Sequence, residues 1–112
     1  MIVWFRLQWE WIRSRLRRDL RVQTMEGFDM PATIAQGVVL RLTVNGEDWL
    51  AGMQCPCQCG DVIELMLLKG VHPRWDFKVD RLSRPTLSPS VFRATGCRSH
   101  FWIRAGQITW CD

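Results

Sequence analysis

No stretch of this sequence approaches the ~18 uninterrupted apolar residues of a membrane span. Nor does it open like a secretory leader, where positive charge precedes an apolar run. Here the apolar residues come first, Arg6 interrupts them, and the other arginines follow. Histidine is scarce, at two residues, and no HExxH pattern occurs, so the usual zinc-peptidase signature is missing. Tyrosine is absent, whereas tryptophan appears seven times, so that some indoles are expected at the surface or at an interface. Five cysteines, an odd number, with no leader point to a reducing compartment rather than a disulfide scaffold. The expectation is a cytoplasmic protein.

A chain of 112 residues has the length of one domain. At this size roughly two-thirds of the unfolded surface can be buried, so a bound metal would help stability. Charge is distributed unevenly. Residues 1–22 hold Arg6, Arg13, Arg15, Arg17, Arg18 and Arg21 against Glu10 and Asp19, so the whole formal net charge of +4 belongs to this arm. The remainder is balanced.

Phe5, Trp9, Ile12, Leu16 and Leu20 recur at steps of three and four, which predicts a basic amphipathic helix over 1–22. Its arginines crowd the last turns, where cations suit the helix dipole. Such a helix can pack on its own domain, dock a partner or lie on a membrane surface. Its apolar face is too regular and Trp-rich for a purely electrostatic nucleic-acid arm. Gly27 and Pro31 mark residues 23–36 as a linker.

From Gly37 the period becomes two. GVVLRLTV, Asn45-Gly46 and EDWLAGM predict a hairpin, because Asn-Gly supplies the positive φ angles of a tight turn. DVIELMLL and RWDFKVD read as further strands. RPTLSPSV, with prolines at 85 and 89, reads as an edge strand or extended loop. SHFWIR, Ala105-Gly106 and QITWC form a second hairpin. The predicted fold is α+β: a helix over 1–22, a linker, and a small, mostly antiparallel β domain over 37–112 carrying a zinc knuckle.

The chemistry gathers in QCPCQCG and GCRSHFW. Cys55, Cys57 and Cys59 alternate, with Pro56 and Gly60 available to bend the chain, and thiolates are good zinc ligands. Cys97 could complete a four-cysteine site. Alternatively, two knuckle cysteines could join Cys97 and His100. The bland alternative is buried, reduced cysteines acting as small hydrophobes. Ser88 and Ser90 lie beside prolines, where serine is commonly a turn residue, and Ser99 precedes His100. A hydroxyl nucleophile needs a base within reach and usually an orienting carboxylate; Asp61, Asp76 and Asp80 are the candidates. A metal-activated water would instead need a base such as Glu64 or Asp61. Cys111 and His72 stand apart from both motifs.

Taken in order, MP-x5-GVV, CPCQCG, PTLSPSV and CRSHFWIR-x-GQITW resemble a bacterial and phage zinc-binding family classed as a domain of unknown function. Its cellular members are encoded beside ubiquitin-like, E1-like and E2-like proteins. The resemblance spans about residues 24–112 and leaves the basic helix out. It implies a compact zinc-binding β protein that processes or removes a ubiquitin-like tag, with a serine nucleophile. Carried over by position, it implies metal ligands at Cys55, Cys57, Cys59 and Cys97. It implies a catalytic set of Ser90 and His100, with Ser99 as the runner-up nucleophile and a backbone N–H near Gly96 or Ser90 as oxyanion donor. Gln58 stands where many members have glycine. The competing reading is a non-catalytic zinc module that docks partners through the Trp-rich helix.

Overall fold

A computed structural model describes residues 19–93 and 96–111. Among these residues, eight strands form two four-stranded sheets. The first contains β1 (Arg21–Glu26), β2 (Val38–Val44), β3 (Glu47–Gln54) and β4 (Val62–Met66), in that order. The second contains β5 (Asp76–Val79), β6 (Pro85–Phe92), β7 (His100–Arg104) and β8 (Gln107–Trp110), again in order. All pairings are antiparallel except β1 with β2.

The two tight hairpins follow from backbone chemistry. Asn45 and Gly46 have φ of 52° and 80°, and Ala105 and Gly106 have 48° and 76°. These mirror-image turn angles match the twist of the flanking strands. Alternation then sorts the side chains. Val39, Ala51, Met53, Ile63 and Leu65 from the first sheet meet Leu87, Val91, Phe101 and Ile103 from the second in one buried cluster. Leu40 and Leu42 point the other way and pack with Ile34, Met30 and Leu50 in a smaller cluster. Gly52 permits this, because a Cβ there would collide with the Met30 side chain. The segment between β1 and β2 therefore covers the outer face of the first sheet while returning the chain for a parallel pairing.

Two expectations are corrected. The fold is all-β among the described residues, not α+β, and no helix occurs in them. Most of the predicted helix, residues 1–18, lies outside the described residues. Its expected end does not form. Leu20 is buried in the inter-sheet core, and its N–H donates to the Gly106 carbonyl at 2.7 Å. The Arg21 N–H reaches Gly37 O at 2.9 Å, and the Val22 N–H reaches Ser83 O at 2.8 Å. Donors bound to partners so distant in sequence cannot close helical turns.

The other correction concerns RPTLSPSV, which is the interior strand β6 rather than an edge or loop. Its prolines sit where the ladder tolerates a missing N–H. Pro85 is the first strand residue, and Pro89 falls in the register irregularity between Leu87 and Val91.

Candidate active site and cysteine cage

β6 and β7 bring the serine and histidine together. Phe92 lies opposite His100 in the ladder, and Ser90 shares the face of Phe92 through the period of two. Ser90 is thus the diagonal neighbour of His100. Its Oγ lies 2.9 Å from His100 Nε2. Both side chains are half-buried. The His100 ring meets Phe92 edge-on, with centroids 5.2 Å apart. The His100 backbone is fixed from β8, since its carbonyl accepts the Cys111 N–H at 2.8 Å. Trp75 holds β6 from the other side, its Nε1–H donating to the Ser90 carbonyl at 3.3 Å.

None of the three anticipated carboxylates orients His100. Asp76 pairs with Arg74 at 2.8 Å, and Asp61 with Arg93 at 3.1 Å. Asp80 accepts the N–H groups of Leu82 and Arg84, both at 2.9 Å, and pairs with the Arg84 guanidinium at 2.7 Å. Those donors outweigh its partial burial and hold the Asp80 carboxyl below its usual range. Among the described residues no carboxylate is hydrogen-bonded to His100, which leaves a serine–histidine dyad.

Ser99 points to the other face of the chain from His100, as adjacent strand residues do. It is buried, with its Oγ 3.0 Å from Cys97 Sγ and 3.7 Å from Cys55 Sγ. The structure therefore places it in the cysteine cluster and not beside the imidazole.

That cluster joins the knuckle after β3 to the β6–β7 turn. The Cys55 N–H donates to Asp61 O at 2.8 Å, closing the knuckle. Gln58 adopts φ 68°, the left-handed conformation in which glycine is most at ease. Cys55, Cys57, Cys59 and Cys97 bring their sulfurs within 4.8 Å of one another, and His100 is not in the group. Cys55 lies 3.3 Å from Cys57 and 3.5 Å from Cys97, sulfur to sulfur. A tetrahedron with ~2.3 Å metal–sulfur bonds has edges of about 3.8 Å, so the four cysteines could hold a metal ion. Cys97 is drawn down to about 6, first by the Ser99 hydroxyl and then by Cys57. Cys57 is pushed up to about 12 by Cys97 and its other thiol neighbours. Burial raises Cys55, but hydrogen bonds from Cys57, Ser99 and the knuckle backbone leave it below its ordinary value. Proton loss from one thiol thus raises the cost of the next, a conflict that a shared cation relieves.

The remaining candidates lie elsewhere. Gly96 sits beside Arg93 and Asp61, in the cysteine turn. Cys111 is a free, half-buried thiol at the end of β8, and His72 is exposed between β4 and β5. Two residues carry more of the site than their sequence context suggests. Trp75 is one. Arg93 is the other, with Nη1 3.5 Å from Cys59 Sγ and 3.3 Å from Cys97 Sγ. Their only advance signal is position: Arg93 falls between Ser90 and Cys97, and Trp75 follows Pro73 at the start of a strand.

An open cleft of about 610 Å³ runs along β5, lined among others by Trp75, Phe77, Arg74, Lys69 and Asp48. Its lining includes Ser88, two residues before Ser90 in sequence. No helix among the described residues is long and apolar enough to cross a membrane.

The model of a family described as bacterial ubiquitination-like system serine protease (BubE) matches residues 27–111. No curated protein and no solved structure matches the chain.

Proposed function

We propose that this chain, which belongs to the bacterial ubiquitination-like system serine protease family, cleaves the C-terminal tail of a ubiquitin-like protein with Ser90 as nucleophile and His100 as base. The observation that carries this reading is the 2.9 Å contact between Ser90 Oγ and His100 Nε2. At that separation the neutral imidazole accepts the hydroxyl proton as Oγ bonds to the scissile carbonyl carbon. The imidazolium then protonates the leaving nitrogen or oxygen as that bond breaks. Water, deprotonated by the same imidazole, hydrolyses the acyl-serine and frees Oγ.

With no carboxylate bonded to it among the described residues, the ring is oriented by the Phe92 edge contact and by the strand that carries it. The cleft, which has Ser88 in its lining, suits an extended tail. Its lining carries both signs of charge together with apolar Trp75 and Phe77.

The metal is zinc in this reading, held by Cys55, Cys57, Cys59 and Cys97. Four thiolates fill a tetrahedral shell, so the ion is a structural staple and the reaction is left to the side chains. The partners are the ubiquitin-like protein and the E1-like and E2-like enzymes of its pathway, in the cytoplasm, where thiols remain reduced.

A fluorophosphonate probe tests the assignment. Ser90 is expected to carry the phosphonyl adduct on peptide mapping, and His100→Ala to abolish it. An adduct at Ser99, or none on a protein that cleaves its precursor, would overturn the assignment.

A further inference from the structure

The cysteine cage is assembled from two parts of the fold. Three of the cysteines come from the knuckle between β3 and β4 of the first sheet, and Cys97 comes from the turn between β6 and β7 of the second. One side chain touches both parts. Arg93 Nη1 lies 3.5 Å from Cys59 Sγ on the knuckle and 3.3 Å from Cys97 Sγ on the turn. Its Nη2 donates to Asp61 Oδ2 at 3.1 Å, again on the knuckle. Its backbone N–H donates to the Ser99 carbonyl at 2.8 Å, closing the β6–β7 connection immediately before His100. Ser90 lies three residues upstream, on β6, whose end Arg93 follows directly. The Arg93 side chain is 20% exposed, while its partners Asp61, Cys59 and Cys97 lie at the surface.

The chemistry favours such a residue. Four thiolates around a divalent cation leave a net charge of −2, and N–H···S hydrogen bonds from a cation offset it. Outer-shell donors of this kind fix the ligands and tune their basicity. Arginine suits the place because its planar fork can serve three acceptors at once, which a lysine ammonium on a flexible stem does poorly.

We propose that Arg93 is a positioning residue. Its guanidinium fastens the knuckle to the β6–β7 turn through Cys59, Cys97 and Asp61, and so governs both metal retention and the setting of Ser90 against His100. The part concerning catalysis rests on the serine-peptidase reading above. The part concerning metal retention stands on the cysteine geometry alone.

The full chain is loaded with zinc and titrated with a chromophoric chelator. Arg93→Gln is expected to weaken metal retention by about 10–100-fold. In the cobalt-substituted protein it is expected to shift the thiolate-to-metal charge-transfer band, because the sulfurs lose their hydrogen bonds. On a ubiquitin-like precursor, kcat should fall while KM changes little. Arg93→Lys keeps the charge and most of the bulk, and should fall between wild type and Arg93→Gln in all three readouts. It also serves if the glutamine variant does not fold. Wild-type metal retention and an unshifted cobalt band in Arg93→Gln would overturn the proposal, as would an Arg93→Lys protein indistinguishable from wild type. A Ser90→Ala protein that still cleaves would sink the peptidase reading while leaving the metal readouts interpretable.

Discussion

Ser90 Oγ stands 2.9 Å from His100 Nε2 across a diagonal of the β6–β7 ladder. If the imidazole is the base for that hydroxyl, His100→Ala should lower kcat/KM by about 10³-fold or more. The Ser90→Ala, His100→Ala double variant should be little worse than either single one, since groups acting as a unit are not additive. Steady-state kinetics on a ubiquitin-like precursor measure both. Full additivity would mean that the two side chains act separately.

Trp75 touches both the cleft and the Ser90 carbonyl of β6. Trp75→Ala is expected to raise KM through the lost cleft wall and to lower kcat through the released Ser90 carbonyl. The combined loss should be about 10²-fold in kcat/KM, the scale of a small misplacement at the reacting centre. Trp75→Phe keeps the ring but not the indole N–H, so it should restore KM more than kcat.

The cage should bind one zinc per chain, measured by elemental analysis against protein concentration. Cys97→Ser removes the ligand that joins the two sheets, and should cost more metal affinity than the roughly 10–100-fold typical of an outer-shell change. Chelation should lower the melting temperature of the wild type but hardly that of Cys97→Ser. A wild-type melting curve indifferent to chelation would remove the staple from the account.

Much of this architecture is legible in the sequence. Asn45-Gly46 and Ala105-Gly106 announce hairpins because only certain residues take those φ angles cheaply. Three cysteines around Pro56, with a fourth before Ser99, announce a cluster that packing alone does not require. The failures have a common physical source in partners remote along the chain. Leu20 continues a helical period, yet its N–H is claimed by Gly106 O and its side chain by the inter-sheet core. The prolines of β6 signal an edge, but the strand accommodates them at its first residue and at a register irregularity. Arg93 looks like any surface arginine until the fold brings Cys59, Cys97 and Asp61 around it.

Asp80 supplies a pH dependence unrelated to the cage. Hydrogen bonds from Leu82 and Arg84 hold its carboxyl below the usual value of 3.8. A depressed native pKa contributes stability that is present above the unfolded value and lost as pH falls through the native one. Asp80→Asn should therefore destabilise the protein at pH 7 by about 1 kcal/mol, modest because the group is partly exposed. The difference from wild type should shrink as acid protonates Asp80. Urea titrations at pH 7 and pH 3 measure it, and a gap that widens in acid would contradict the assignment.

The most direct test is turnover of a ubiquitin-like precursor by the zinc-loaded protein and by its Ser90→Ala variant, matched for metal content and melting temperature. Loss of at least about 10³-fold in kcat/KM, with tail binding retained, is the predicted result. Cleavage by Ser90→Ala at the wild-type rate would contradict it.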